Sequence, residues 1–448
     1  MSNRKTIFYT FVYRGLSAVL TWVNSVITAR YLIHPGDRGD FQTTTTYATS
    51  GQRFSGGYSN YFSRSLPRRP QDAVQIVQMG NFVMFLLSIL VWLIALAVLW
   101  FGHPSTLVMF SLVGMPLTFL FGYASRLLNA LDNIKALNRA NVSQAVAFLL
   151  IYLAFIAFNT HLGEHQRLMW TYKIWLLSWI ICVAMTLFAV YRQLGWGHHL
   201  KWKWQKTEWR SFLGFGTWSS LALLSGYVNL RIDFWMLGWL TRKLPHGRDV
   251  VSIYGVAVTA AEILMTLSQS ISTVVFRRMS ASDGQDAGIV TESASRQTLI
   301  TSIIVAAGLA ILMPFLVLVY GRNKYGGSVG PFYILLPGLV LKTVSTLISQ
   351  YFTNSKGKPF TLLIVNLLMI SFNALICYFI IPRLSMYGAS ISSTIAYFTE
   401  LSVYVFWYHR TSGRRGIDLW RLKKDDLLPY LSVVQAGLRK IKPSRSSG

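Results

Sequence analysis

Apolar residues in this chain fall into long blocks rather than alternating runs, and a block of ~20 mostly apolar residues is what a bilayer crossing requires. Twelve such blocks are legible, approximately over residues 7–33, 40–63, 79–101, 105–127, 140–159, 169–191, 212–240, 251–276, 297–320, 330–354, 360–381 and 385–408. The second is the most polar, because Thr43, Thr44, Thr45, Thr46, Gln52 and Arg53 lie inside it. Removing it would send every later loop to the other side of the membrane. The loop charges argue for keeping it.

With twelve spans both termini share one side, and that side collects the bulk of the cations. Arg4, Lys5, Arg64, Arg68, Arg69, Arg126, Lys135, Arg139, Arg192, Lys201, Lys203, Lys206, Arg210, Arg277, Arg278, Arg296, Lys356, Lys358 and the basic tail after His409 all belong to it. The opposite loops hold Arg38, Arg167, Arg242, Lys243, Arg248, Arg322, Lys324 and Arg383. An excess of Lys and Arg marks the cytoplasmic side, so the chain reads as a multi-pass protein of the cytoplasmic (inner) membrane with both termini inside. The first block is not read as a cleavable leader, since Arg14 interrupts it and no short apolar core with a small-residue cleavage site is present.

Composition agrees with that topology. Of 448 residues 53% are hydrophobic and 13% charged, against about 25% charged in soluble domains. A water-soluble enzyme is excluded by this balance. The net charge of +26 would suit nucleic acid in another context, but here it follows from membrane orientation, so no nucleic-acid partner is expected. Cys182 and Cys377 sit inside apolar blocks and read as inert packing residues, and the eight histidines form no cluster, so no metal or cofactor is expected. Gly357-Lys358 is followed by Pro359 where a nucleotide-binding loop needs Ser or Thr, and no glycine stands five residues earlier. The loops are too short for a catalytic domain.

The two halves read alike. Aligning Pro116 with Pro337 also places Asn133 on Asn354 and Lys135 on Lys356 without a gap. Residues 1–195 form an N-lobe of six spans, 196–211 a basic, Trp-rich linker from Trp196 to Trp209, 212–409 a C-lobe of six spans, and 410–448 a basic tail. The expected fold is all-α, with two six-helix lobes related by a pseudo-two-fold axis along the membrane normal. Parallel repeats of this kind rock against each other around a shared midplane site. The tail from Ile417 to Lys442 mixes Leu, Trp420 and Tyr430 with cations and reads as an amphipathic segment on anionic lipid, interrupted at Pro429.

Helical periodicity gives the first span a polar stripe of Arg14, Ser17, Thr21, Asn24, Ser25 and Thr28, with Val19, Val23 and Val26 opposite. The second span adds its threonines, Gln52 and Arg53, with Phe54, Tyr58, Tyr61 and Phe62 in another sector. In the seventh, Ser225, Asn229 and Asp233 recur at i, i+4, with Arg231 on a different face. A charge at the bilayer centre costs ~2.5–3.5 kcal/mol on insertion scales, so Arg14, Arg53, Arg231 and Lys342 should face protein or water. The acids available to balance them are Asp233, Glu262 and Glu400. A cationic cleft suited to an anionic head group follows, since Arg binds phosphate in a bidentate way. Arg30 and Lys173, near helix ends, read as snorkelling cations. Arg231 has a structural alternative in pairing with Asp233 or a neighbouring helix, and Glu262 alternatives as a packing residue or a cation site.

Several segments together resemble the polysaccharide-transport branch, the Wzx-like flippases, of the multidrug/oligosaccharidyl-lipid/polysaccharide (MOP) exporter superfamily. They are Ala29-Arg30-Tyr31-Leu32 with Pro35 and Gly39; Arg231-Ile232-Asp233 with Leu237-Gly238, Tyr254, Ala257 and Ala261-Glu262; and Leu336-Pro337-Gly338 with Gly357-Lys358-Pro359. Ile33-His34 departs from the usual glycine, and Arg277 stands where a proline often ends the eighth helix. The resemblance spans roughly residues 7–410. It implies a non-enzymatic flippase that carries undecaprenyl-pyrophosphate-linked oligosaccharide from the inner to the outer leaflet. The pyrophosphate would meet Arg14, Arg53, Arg231 or Lys342, and Ser17, Thr21, Asn24, Thr28 and Gln52 would line the cavity. Asn229 and Asp233 are the candidate ion-coupling pair. Membrane lipids, and a polysaccharide polymerase or glycosyltransferases, are the implied partners. The alternative is a cation-coupled drug antiporter of the same superfamily, which the lack of any Asp or Glu in residues 7–33 disfavours.

Overall fold

The computed structural model describes residues 3–32, 34–66, 73–102, 105–159, 161–194, 206–281, 285–356, 359–421, 423 and 426. The core of the linker, Gly357-Lys358, the side chain of Arg277 and the tail beyond Asp426 lie outside the described residues. Twelve membrane-length helices are present among them: α1 Asn3–Tyr31, α2 Pro35–Ser65, α3 Ala73–Gly102, α4 Thr106–Ala130, α5 Ile134–Phe158, α6 Glu164–Leu194, α7 Lys206–Thr241, α8 Gly247–Ala281, α9 Gln285–Tyr320, α10 Val329–Gln350, and a helical pair within Pro359–Ser412. That last element breaks at Ser385, whose φ is 51°, three residues after Pro382; its arms are α11 (359–384) and α12 (386–412).

The lobes repeat one packing scheme. In the first, α2 packs on α4, α4 on α6 and α1 on α5; in the second, α8 packs on α10, and α10 and α7 both pack on the α11–α12 pair. Both α4 and α10 carry an internal proline, Pro116 and Pro337, as the internal alignment predicts. The chain is therefore all-α with two matching six-helix lobes. Phe62, Val77 and Leu127 belong to one N-lobe core and Phe121, Tyr152 and Cys182 to another. Tyr254, Leu264 and Phe332 centre the C-lobe.

By length and apolarity, α3, α4, α5, α6, α9, α10 and the α11–α12 pair are able to cross a membrane. The four remaining helices, α1, α2, α7 and α8, make most of the contact between lobes, joined by the end of α9 against α1. Their polarity has a physical cause: they meet protein and one another more than lipid, so hydroxyls and charges are tolerated where hydrocarbon would reject them. The polar second block is accordingly a helix at the centre of the molecule.

α2 and α7 run antiparallel in close contact. Gly57 makes this approach, because a Cβ there would lie 2.0 Å from the Ser220 backbone nitrogen. Along the same seam the Tyr58 and Thr217 hydroxyls lie 2.9 Å apart, and Asn60 donates to Ser219 Oγ at 2.9 Å. Trp209 and Phe212 at the start of α7 insert into the N-lobe core.

The α1/α8 flank is asymmetric. Toward the face where α1 ends, Ala29 joins the C-lobe core and Trp22 and Val26 pack on it. Toward the face holding the N-terminus, Gly15 has open space around it, and Tyr9, Val12, Leu16 and Val19 are exposed. We call these the distal and terminal faces.

The tail departs from the expectation of a lipid-lying segment at its start. Gly416–Leu419 is a 3-10 turn docked on protein, with Leu419 fully buried. Arg414 pairs with Glu292, and buried Arg296 donates to Asp426 at 2.6 Å and to the Asp418 carbonyl at 2.6 Å. Acceptors supplied by α9 and the tail's own acids outcompete lipid there.

Candidate functional site

The seam between α2 and α7 brings Arg53 and Arg231 to one ring, that of Tyr227. The Tyr227 centroid lies 5.5 Å from the Arg53 guanidinium and 5.7 Å from that of Arg231. Guanidinium groups stack on aromatic faces by cation–π attraction. Tyr227 is held by its hydroxyl, which donates to the Thr46 carbonyl at 2.9 Å. Trp235 donates to Thr46 Oγ1 at 3.2 Å and stacks on Tyr47 with centroids 4.9 Å apart. The threonine run of α2 thus fixes an aromatic wall.

Charge is unevenly shared across this wall. Arg231 is paired with Glu262 of α8, Nη1 to Oε1 at 2.8 Å and Nη2 to Oε2 at 2.9 Å. Its partner is therefore a neighbouring helix and not Asp233. Arg53, by contrast, makes no hydrogen bond or ion pair among the described residues, and its Nε–H is buried without an acceptor. A third guanidinium lies close enough to Arg53 to repel it: Arg126. The sequence reading counted Arg126, at the end of the fourth block, among the cations of the cytoplasmic side, but α4 runs on to Ala130 and carries it inside the bundle. It donates to Asn60 Oδ1 at 2.7 Å and lies against Gly56, where a Cβ would sit 2.7 Å from its Nε. Arg53 thus has two guanidinium neighbours, Arg231 already paired with Glu262 and Arg126 bonded to a neutral amide. The signal that would have found Arg126 is its polar neighbour Asn60 on the facing helix, and that contact is visible only in the fold.

The other expected cationic residues separate. Lys342 of α10 is buried in the C-lobe, with both Glu400 oxygens at 2.6 and 2.7 Å. Asn229 donates to the same carboxylate at 2.8 Å, and Ser345 at 3.2 Å. The expected surplus of positive charge at Lys342 is therefore absent; a carboxylate on α12 neutralises it. Arg14 is half-buried on the terminal half of α1 and has no ion pair or hydrogen bond among the described residues. Arg30 does not snorkel alone: it reaches across to α9 and donates to the Val319 and Leu318 carbonyls at 2.8 and 3.2 Å, the acceptors left open at a helix C-terminus. Lys173 is exposed over Trp170.

The polar stripe of α1 divides among three surroundings. Ser17 and Asn24 donate to the Asn141 and Ala145 carbonyls of α5, at 3.2 and 2.9 Å. Thr28 is buried and bonds its own helix, donating to the Asn24 carbonyl at 2.7 Å. Thr21, about two turns from Arg14, is exposed. Gln52 is half-buried where α2 meets α4 at Gly122.

The α7 ladder faces away from the wall. Asn366 donates to Ser225 at 3.2 Å, Asn229 bonds Glu400, and Asp233 accepts from Ser393 at 2.7 Å, from Tyr254 and from the Phe234 amide at 2.7 Å. Each carboxylate oxygen of Asp233 already has a donor. No group of three or more His, Cys, Asp or Glu able to hold a metal occurs among the described residues.

No protein-family model and no curated protein matches this chain. Solved structures do share its fold. A multidrug resistance MATE family transporter of the MOP superfamily in an outward-facing conformation aligns with TM-score 0.67 and 13% identity, over 91% of this chain and 96% of that one. The same kind of transporter in an inward-facing conformation gives 0.65 and 13%, over 89% and 94%. A MOP superfamily transporter from Pyrococcus furiosus Vc1 (DSM3638), described as having a binding pocket of reverse polarity suggesting a different function, gives 0.66 and 14%, over 91% and 96%. At these identities the likeness is one of fold.

Proposed function

We propose that this protein is an alternating-access exporter of the cytoplasmic membrane whose cargo is an oligosaccharide carried on a lipid pyrophosphate, moved from the inner to the outer leaflet. The observation that carries the reading is the guanidinium of Arg53, without a hydrogen bond or ion pair among the described residues and set beside Arg126 and the Arg231–Glu262 pair. A half-buried cation with an unsatisfied Nε–H gains from a ligand that supplies the missing anion. The solved structures of the same fold include both inward- and outward-facing forms, which supports a rocking cycle.

On this reading the terminal face is cytoplasmic. Arg14 and Thr21, on the uncovered half of α1, meet the head group first, and Arg53, Arg126 and Arg231 hold its diphosphate. The aromatic wall of Tyr47, Tyr227 and Trp235 stacks against sugar rings. Lys342 acts indirectly, by fixing α10 to α12. Residues 1–195 and 212–409 are the moving bodies, and a polymerase or glycosyltransferase delivers or receives the cargo. The test is reconstitution in vesicles with a lipid-linked oligosaccharide, scoring its arrival in the far leaflet. Arrival no faster than in protein-free vesicles would refute the proposal.

Glu262 beside the same aromatic wall favours one second reading, a cation-coupled drug antiporter. An organic cation would displace Arg231 from Glu262, so accumulation of a lipophilic cation against a proton or sodium gradient, lost in Glu262→Gln, supports that reading over the first.

Ion coupling, if carried by Asp233, requires a proton rather than a metal ion, since its oxygens are occupied by Tyr254, Ser393 and the Phe234 amide. Asp233→Asn is therefore expected to leave translocation insensitive to an imposed pH gradient without creating any sodium response. Retention of the full proton dependence in that variant removes Asp233 from the mechanism.

A further inference from the structure

Glu400 of α12 holds the Lys342 ammonium between its two oxygens, at 2.6 and 2.7 Å, and both side chains are buried. A carboxylate offers about four lone-pair positions. Asn229 of α7 and Ser345 of α10 donate one bond each, to different oxygens, at 2.8 and 3.2 Å. The nitrogen of Lys342 takes a further position on each oxygen. The Tyr397 ring, one turn before Glu400, lies 5.4 Å from Nζ and presents the negative face that attracts ammonium ions. The amide of Asn229 that donates to Glu400 is fully buried, and its own carbonyl oxygen has no donor.

Converging carboxylate oxygens, a spare amide oxygen, a hydroxyl oxygen and an aromatic face are the parts of a cation site, since hard cations take oxygen ligands. The ammonium that fills it is a compact point charge. The Arg296–Asp426 pair is buried as deeply, but a guanidinium is a flat fork whose two-point contact no spherical ion reproduces. Asp233, one turn along α7, has a different arrangement, with Tyr254 and Ser393 both on Oδ2 and the Phe234 amide on Oδ1. We propose that the C-lobe is built around a site for a small monovalent cation, sodium or a primary alkylammonium, and that Lys342 keeps it permanently filled. In the native chain α7, α10 and α12 are thus joined by a cation that cannot leave, and sodium has no place there. Cargo plays no part in this site, so it and the lipid-pyrophosphate reading can fail separately.

The test is a thermal melt of the full chain in detergent, at fixed ionic strength, in sodium, methylammonium or tetramethylammonium chloride. Lys342→Ala vacates the space from Cγ to Nζ. It should melt well below the parent in tetramethylammonium, which is bulky and has no N–H, and recover several degrees, saturably, in sodium or methylammonium. Lys342→Met fills the same space without charge and should melt low in all three salts. Lys342→Ala/Glu400→Gln, lacking the carboxylate, should be equally indifferent, as should the parent. Isolation of Lys342→Ala in sodium or methylammonium but not in tetramethylammonium would be the same rescue in another form. Three results overturn the assignment. The first is a Lys342→Ala melt that follows neither ion, including one restored by acidification alone, because Glu400 then simply takes a proton. The second is an ion response shared by Lys342→Met or the parent, which is a general salt effect. The third is failure to isolate Lys342→Ala in any of the salts when Lys342→Met is obtained.

Discussion

Arg53→Ala is expected to slow translocation of a pyrophosphate-linked substrate about 10- to 150-fold, because a hydrogen bond to a charged group is worth about 1.5–3 kcal/mol and each 1.4 kcal/mol is tenfold. Arg53 has no hydrogen bond or ion pair to lose among the described residues, and its contact with the Tyr227 ring is offset by relief of its repulsion with Arg126, so the variant should fold about as well as the parent. That combination distinguishes a ligand-binding cation from a structural one. Arg126→Ala should show a smaller transport defect with some destabilisation, since it also frees Asn60, which bonds Ser219 across the seam. Arg53→Lys keeps the charge but loses bidentate geometry, and should recover only part of the rate. The measurement is far-leaflet arrival in vesicles alongside the unfolding temperature in detergent. Normal flipping by Arg53→Ala would leave the cluster without a role in cargo binding.

The helices were legible in the sequence because a bilayer sets one length scale and rejects charge, so apolar blocks and loop cations report the spans nearly directly. α2 was the hard case, and its polarity proved to mark its place at the lobe seam. The internal prolines Pro116 and Pro337 fall at matching positions for the same reason that the repeat was visible: the two lobes share a packing scheme. Pairing was the part that sequence withheld. Nothing local says that Lys342 meets Glu400, 58 residues away, or that Arg231 meets Glu262 rather than Asp233, two residues distant. Helical spacing placed Arg231 and Asp233 on different faces but did not say what each face would touch. Arg38 was hidden by a shorter reading of α2, which put a buried guanidinium into a loop, and Arg126 by its position at the end of the fourth block, where it was counted with the cations of the inner side. The α1 stripe was a real polar face, but α5 backbone carbonyls captured Ser17 and Asn24, because a helix interior in lipid has unsatisfied partners only where another helix comes close.

The Lys342–Glu400 pair allows the sharpest separation of structure from transport. Breaking a buried pair by removing one partner costs about 3–5 kcal/mol, whereas replacing both by apolar groups of similar size is often neutral. Lys342→Met leaves the Glu400 carboxylate buried with only Asn229 and Ser345 as donors, and Glu400→Leu leaves an ammonium with Tyr397 as its remaining neighbour. Each single variant should therefore unfold well below the parent in a detergent thermal melt. The double variant Lys342→Met/Glu400→Leu should recover most of the loss, giving a coupling of opposite sign to the single effects in a double-mutant cycle. Recovery will stop short of complete, because Asn229 then has no carboxylate to donate to and its carbonyl oxygen is already buried without a partner. Transport decides the rest. If Lys342 serves only to tie α10 to α12, the rescued double variant translocates cargo. A double variant that is stable yet inactive would return Lys342 to the anion path, and would require Glu400 to release it during the cycle.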